Sequence, residues 1–308
     1  MTVDQASIDQ VRAAFNDEQN AQLSDEDVKR FIIARKMDIP KSISMISSHL
    51  EWLDTVLTGS DTLTPRNILN EPDPDEHVYR EYFFHSNLGF SKKGNPVYWE
   101  KSGVCSQNFV KVIKHIPTTG LVIRHVRQQE YVFRDKCQKA TEFYGRPITK
   151  QLLVMDLKNL SYSLDTQAMA TFRSCLKIDE ANYPERLDHC VMINVPWFFT
   201  AIWSIIRPWI DPVTTEKFIL IGSDFLPTLR NLIDDSQIPV EYGGKRENFG
   251  WTYPENRERE DTIEQIMAAA CSDVVVSAKK SKSLSVKTAA ESVDEEEVLE
   301  GIPYVEGL

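Results

Sequence analysis

Three nearly continuous apolar runs constrain this chain more than any other feature: KQLLVMDL at 150–157, DHCVMINV at 188–195 and KFILIG at 217–222. A strand that is apolar at every position has both faces covered, and the stretches between these runs have helical character. Together they predict a mostly parallel sheet between layers of helix, an α/β fold. Upstream, EYFFH (81–85) and NPVYWEK (95–101) are short aromatic and β-branched runs on either side of a glycine-containing connection. They predict a hairpin or a pair of neighbouring strands. Residues 108–143 read as helical, with Gly145 as their stop.

The first 57 residues read as helices. SDEDVKRFIIARKM opens on Ser24 with Asp27 three residues on, approximating a capping box, and Val28, Phe31 and Ile32 follow helical spacing. Ile43, Ile46, Leu50, Leu53 and Leu57 line one face of the next helix, which Gly59 stops. TPRNILNEPDPDEH, rich in Pro, Asp and Asn, is a linker. The expected organisation is an all-helical N-terminal lobe over residues 1–70, an α/β domain over 71–255, and a C-terminal part, 256–308. That last part holds one helix near 258–273 and then a polar, finally acidic tail too poor in apolar residues to offset its ordering entropy. Residues 291–308 contain seven acids and no base, so most of the net charge of −11 resides there.

An acidic chain is not a phosphate-tracking nucleic-acid binder. Five widely spread cysteines without CxxC or Cys/His spacing predict reduced thiols in the cytosol and no metal site. The opening residues lack the basic and apolar regions of a signal peptide. No GxSxG, GxxxxGK[ST] or GxGxxG occurs, the six histidines are scattered, and Asp156 at the end of an apolar run suits a turn cap. The expectation is therefore no enzyme, no cofactor and a monomer.

One segment resists the description of an ordinary core helix. NVPWFFTAIWSIIRPWID (194–211) carries Trp197, Phe198, Phe199, Ile202, Trp203, Ile206 and Trp209, and no charged residue from Trp197 to Ile206. Its apolar part is about 12 residues, against the roughly 20 that a membrane span needs, and Pro196 and Pro208 bracket it. A helix apolar all round needs burial or lipid.

Several polar residues are also out of place. Arg35 lies on the stripe of Val28, Phe31 and Ile32, with Lys36 beside it; Lys217 opens a buried run just after Thr214; Glu185 and Arg186 follow Pro184 in NYPERLD. Each has a bland explanation: an internal salt bridge for Arg35, dipole compensation at a helix start for Glu185, an exposed strand end for Lys217. As a set they suit a phosphodiester, which needs cations and hydroxyl donors, bonded to a polyhydroxylated ring, which needs a carboxylate acceptor.

RFIIARKMDI, PVYWE, VMDLKN, NYPERLDHCVMINVPW, IIRPWIDPVTTEKFILIG and IPVEYGGK, in this order and spacing, resemble the CRAL-TRIO lipid-binding family, in particular its secretory-type phosphatidylinositol transfer proteins. The likeness spans roughly residues 20 to 250. It implies a helical N-terminal part followed by an α/β domain with a hydrophobic lipid cavity, and a phosphoinositol headgroup site at Arg35, Lys36, Glu185, Arg186, Thr214 and Lys217. It also implies that Trp197, Phe198, Phe199, Ile202, Trp203, Ile206 and Trp209 form a gate that meets membrane. At the positions that hold a second lipid in such proteins the chain has Phe84, His125, Gln151 and Leu153, with Tyr98 alone unchanged, which points away from choline. The expected function is cytoplasmic binding and transfer of phosphatidylinositol at transient membrane contacts. Two alternatives stay open: a sensor that presents lipid to a lipid kinase or other protein partner, and a carrier of a sterol, tocopherol or other isoprenoid.

Overall fold

The apolar runs become the strands they predict. In the computed structural model, which describes residues 2–162 and 165–247, β3 spans Gln151–Asp156, β4 Leu187–Ile193 and β5 Phe218–Leu220. The expected helix at 258–273 and the acidic tail lie outside the described residues. β1 (His85–Phe90) and β2 (Pro96–Glu100) complete a five-stranded sheet of order β1-β2-β3-β4-β5. The β1–β2 pair is antiparallel, and the other three pairs are parallel. The upstream pairing is as expected, but EYFFH is not a strand throughout: Glu81 and Tyr82 close helix α5 (Glu76–Tyr82), and the strand starts at His85. Aromatic residues at the end of a short amphipathic helix mimic a strand when read by composition alone.

Four helices open the chain, α1 (Gln5–Arg12), α2 (Asp17–Asn20), α3 (Asp25–Ala34) and α4 (Ile39–Leu53), and α1, α3 and α4 share a core of Ile8, Val11, Val28, Phe31, Ile32 and Ile46. Burial of each large side chain there stabilises the group by ~1.5–3 kcal/mol. The capping box at α3 forms in both directions: Asp27 N–H donates to Ser24 Oγ at 3.1 Å and Ser24 N–H to Asp27 Oδ2 at 3.2 Å. Between β2 and β3 come α6 (Ser102–Val112), α7 (Thr118–Tyr131), a π-helical turn (Val132–Lys136) and α8 (Cys137–Tyr144), which ends on Gly145 in the left-handed conformation. α9 (Thr166–Asn182) joins β3 to β4, and α10 (Phe199–Ile206), a 3-10 turn (Arg207–Trp209) and α11 (Pro212–Thr215) join β4 to β5. α12 (Leu226–Leu232) follows. The described residues fall in one compact unit.

The two faces of the sheet are packed differently. On one, Val97, Trp99, Leu152, Val154, Val191 and Ile193 are at most 1% exposed, and Trp99 stacks on Tyr242 at 5.2 Å. The register puts Tyr98 opposite Leu153, Leu153 opposite Cys190 and Cys190 opposite Phe218 on the other face. There Tyr98, Leu153, Met155, Phe218 and Leu220 are only half-buried, although Phe199, Ile202 and Ile206 of α10 and Met169 and Phe172 of α9 pack over the β3–β5 part of this layer. A filled interior has the density of an organic crystal and leaves no such access. Side chains that are roofed by helices and yet only half-buried make this face the candidate wall of an apolar chamber, although Cys190 and Met192 on it are buried.

Candidate ligand site

The residues singled out in the sequence fall into three places. The first is the amino-terminal edge of the parallel strands. Gln151 N–H donates to the Arg186 carbonyl at 2.8 Å and Cys190 N–H to that of Lys217 at 2.9 Å, so the residues opening β3, β4 and β5 sit side by side. Lys217 Nζ donates to Glu185 Oε2 at 3.1 Å, with the side chains 18% and 21% exposed. Thr214, half-buried in α11, accepts Lys217 N–H through its carbonyl at 3.1 Å. Glu185 does not begin a helix, contrary to the dipole argument: Pro184 and Glu185 form the turn between α9 and β4, and Glu185 has φ +58°. A non-glycine residue held there costs ~1–3 kcal/mol and persists where its surroundings over-determine it. Lys217 is likewise no exposed strand end.

Arg186 is committed elsewhere. Its Nη2 donates to Asp27 Oδ1 at 2.8 Å, its Nη1 to the Thr149 carbonyl at 3.1 Å, and its guanidinium lies 4.7 Å from the centre of the Phe133 ring. Arg30 Nε also donates to Asp27, and Arg30 Nη1 to the Asn182 carbonyl at 2.9 Å. Burial opposes a charge on Asp27, but the two guanidiniums hold its carboxyl at about 2. Arg186 thus ties α3 to the strand ends and sets the backbone next to Glu185.

The second place is the end of α3. Arg35 is the C-cap, Lys36 N–H donates to the Ile33 carbonyl at 2.9 Å and Met37 N–H to that of Ile32 at 3.0 Å, the paired bonds of a Schellman turn. Lys36 (φ +53°) and Met37 (φ +67°) are both left-handed, and Met37 packs on the core of the N-terminal helices. Glycine is the usual residue at the Lys36 position, so a lysine there accepts strain to present an exposed ammonium. Among the described residues neither Arg35 nor Lys36 has an ion-pair or side-chain hydrogen-bond partner, so the internal salt bridge offered as the bland reading of Arg35 is absent. No hydrogen bond joins them to Glu185 or Lys217 either.

The third place is the chamber. Tyr98, Gln151 and Leu153 share its sheet face. Gln151 Nε2 donates to Gln129 Oε1 at 2.9 Å, Gln129 Nε2 to Asp179 Oδ1 at 2.8 Å, and His125 Nε2 meets the same Asp179 oxygen at 2.7 Å. This chain crosses from β3 through α7 to α9. The His125 side chain is 25% exposed. Burial works against its charge, but the Asp179 carboxylate wins and raises its pKa. Nearby, Tyr98 OH donates to Glu100 Oε2 at 2.8 Å, and burial together with Arg124 pushes His85 down to about 3. Phe84, half-buried, precedes β1, and its carbonyl accepts Lys101 N–H at 2.9 Å.

The tryptophan-rich segment roofs the chamber with mixed orientation. Phe199, Ile202 and Ile206 point inward and are buried. Trp203, expected to face membrane, turns in against Phe218 at 5.2 Å, and Trp209 is half-buried beneath the Arg173 guanidinium. The outward surface is Trp197, 81% exposed, with Thr200, Ala201, Ser204 and Ile205. Phe198 contacts both Trp197 and Tyr162, the latter 75% exposed, in edge-to-face pairs. The helix is shorter than the apolar run: Pro208 gives a 3-10 turn, and the chain re-enters a helix only at Pro212.

Sequence reasoning missed Lys150, Gln129, Asp179 and Tyr162. For Lys150 the signal was present, since it opens KQLLVMDL as Lys217 opens KFILIG. The others acquire meaning only once α7, α9 and the loop after β3 are placed.

Residues 83–244 match the CRAL/TRIO domain. The chain is 26% identical over 223 residues to the SEC14 cytosolic factor of Eremothecium gossypii, covering 72% of this chain and 70% of that protein. It is 29% identical over 216 residues to phosphatidylinositol/phosphatidylcholine transfer protein SFH7 of Arabidopsis thaliana, covering 70% of this chain and 38% of that longer protein. Among solved structures, the crystal structure of Sfh5 shares the fold, with a TM-score of 0.58 at 17% identity over 87% of this chain and 100% of that one. With more than half of its length matched by that domain, the chain belongs to the CRAL/TRIO family.

Proposed function

We propose that this protein binds phosphatidylinositol, with the acyl chains in the apolar chamber and the headgroup at the amino ends of β3–β5, and transfers or presents it between membranes. The observation that carries this reading is the contrast between the two sheet faces. On one, six large side chains are at most 1% exposed; on the other, Tyr98, Leu153, Met155, Phe218 and Leu220 stay half-buried under the roof of α9 and α10. A two-chain lipid has about 30 methylenes and methyls, and at ~0.8 kcal/mol each their exposure to water costs more than about 20 kcal/mol. A carrier therefore needs an enclosed apolar space that opens only at a bilayer. Glu185 can accept hydroxyl protons from an inositol ring, while Lys217 and Thr214 can donate to its phosphate. The likeness to the Arabidopsis phosphatidylinositol/phosphatidylcholine transfer protein SFH7 supports lipid transfer as the general class.

No covalent step and no cofactor enters this mechanism; the lipid is the ligand. None of the described helices is long and apolar enough to cross a membrane, and Trp197, Tyr162 and Phe198 offer a peripheral contact in its place. We place the protein in the cytoplasm, visiting membranes. The test is extraction and mass spectrometry of lipid from the purified protein, followed by vesicle-to-vesicle transfer. Phosphatidylinositol is the expected ligand, and recovery of only a sterol, a tocopherol or no lipid rejects the headgroup assignment. Retained binding with little transfer would identify a sensor.

A further inference from the structure

We infer that Lys150, which none of the six sequence-derived positions includes, is the cation that holds the ligand's phosphate at this site. The argument is one of charge pairing. Lys217 is bonded to Glu185 at 3.1 Å, Lys93 lies 3.5 Å from Asp188, and Arg186 is bonded to Asp27 at 2.8 Å. Each of these three is thus answered by a carboxylate, whereas Lys92 and Arg146 nearby, which are not, are exposed. Lys150 is half-buried and, among the described residues, has no ion-pair or side-chain hydrogen-bond partner.

Its position follows from the sheet. Lys150 precedes Gln151, whose register partner is Leu187, so it stands next to the Glu185–Arg186 turn. Lys217 precedes Phe218 on the far side of β4, and strand spacing puts β3 and β5 about 10 Å apart across it. The Lys150 carbonyl accepts a weak bond from Cys137 Sγ at 3.7 Å, which leaves its side chain uncommitted. Burial and the neighbouring Lys217 disfavour its charge, while Glu185 and Asp188 support it, so the ammonium feels this cluster directly. A partly desolvated, unanswered ammonium is an unfavourable element in the empty protein, and an anion removes the penalty. Phosphate beside Lys150 can take a further bond from Lys217, and the Glu185 carboxylate stays available to ring hydroxyls.

The inference deepens the inositol-lipid reading but depends on it only for the group attached to the phosphate. The full chain is assayed for equilibrium uptake of phosphatidylinositol and of phosphatidic acid from vesicles, with inorganic phosphate as the free-anion arm. Lys150→Met is expected to weaken phosphatidylinositol uptake about ten-fold or more, the size of one charge-assisted hydrogen bond, and to flatten its salt dependence. Lys150→Arg should restore most of it. The lipid-free melting temperature of Lys150→Met should not fall, since an unpaired half-buried charge is removed; a structural role predicts a drop. Wild-type uptake of phosphatidylinositol by a folded Lys150→Met overturns the assignment and spares the inositol reading. Uptake of phosphatidic acid alone, lost in Lys150→Met, does the reverse. Lys150-dependent binding of inorganic phosphate with no lipid uptake rejects a lipid headgroup as its source, and uptake of neither lipid nor phosphate rejects both ideas.

Discussion

Lys217 reaches Glu185 at 3.1 Å, and Glu185 receives it from a left-handed backbone position, φ +58°. An ordinary salt bridge needs no such strain. The pair is worth at most about 1 kcal/mol to stability, comparable to or below the cost of the backbone that presents it. Its geometry is better explained by a ligand that uses both charges than by the fold.

Glu185→Gly is therefore expected to leave stability unchanged or to raise it by up to about 1 kcal/mol, because glycine adopts this φ freely. The same change should weaken inositol-lipid binding about ten-fold or more through loss of the hydroxyl acceptor. Urea unfolding and lipid uptake on one preparation check both. A loss of stability together with retained uptake would show that the pair is structural.

Trp197 and Trp203 lie six residues apart in one segment and should behave oppositely. Trp197 is 81% exposed, so Trp197→Ala should leave the unfolding midpoint within error and reduce binding to vesicles. Trp203 packs on Phe199 and Phe218, so Trp203→Ala should cost roughly 2–3 kcal/mol, below the 3–5 of a fully buried site. Vesicle flotation and thermal denaturation separate the two effects.

Acid should loosen the N-terminal helices in two stages. Burial first, and Arg30 second, lower the pKa of His49 to about 4, and His49 bonds Asn182 Oδ1 at 3.1 Å. The unfolded chain takes up that proton near 6.5, so this contribution is complete above 6.5 and lost as pH falls toward 4. Asp27, held at about 2, contributes above its ordinary value and loses on the order of 2 kcal/mol as pH falls from about 4 to 2. His125, whose pKa is raised, works in the opposite sense, stabilising at low pH and losing that contribution as pH rises through its folded value. Urea midpoints from pH 7 to 3 check the sum: Asp27→Asn should flatten the lower stage, His49→Gln the upper.

How much of this was legible depended on whether the signal was local. The runs at 150–157, 188–195 and 217–222 reveal strands because apolar continuity survives any tertiary arrangement. Ser24 and Asp27 reveal the cap of α3 because its partners are three residues apart. Glu185 was misread because proline followed by acid begins many helices, and only the αL turn into β4 sets it beside Lys217. Trp203 was misoriented because a helix apolar all round has no face that periodicity can assign. Lys150 was passed over because its meaning lies in the carboxylates that its neighbours use up, a property of three adjacent strands rather than of one.

Leu152 and Leu153 provide the sharpest test of the chamber, since adjacent residues on one strand point into the two different layers. Leu152 is 0% exposed on the solid face, where a larger side chain has no room, so Leu152→Trp should cost at least 1–3 kcal/mol and impair folding. Leu153 is half-buried among Met155, Phe218 and Leu220, beneath α10 on the face proposed to take the acyl chains. Leu153→Trp should be accommodated with unchanged or higher stability, because a ring added into the proposed chamber gains apolar contacts. It should at the same time exclude the acyl chains, so that the purified variant carries little lipid and transfers less. Melting temperature and lipid stoichiometry by mass spectrometry decide the matter. Equal destabilisation by the two substitutions would mean that both faces are packed alike, and the carrier mechanism would then have no compartment to act through.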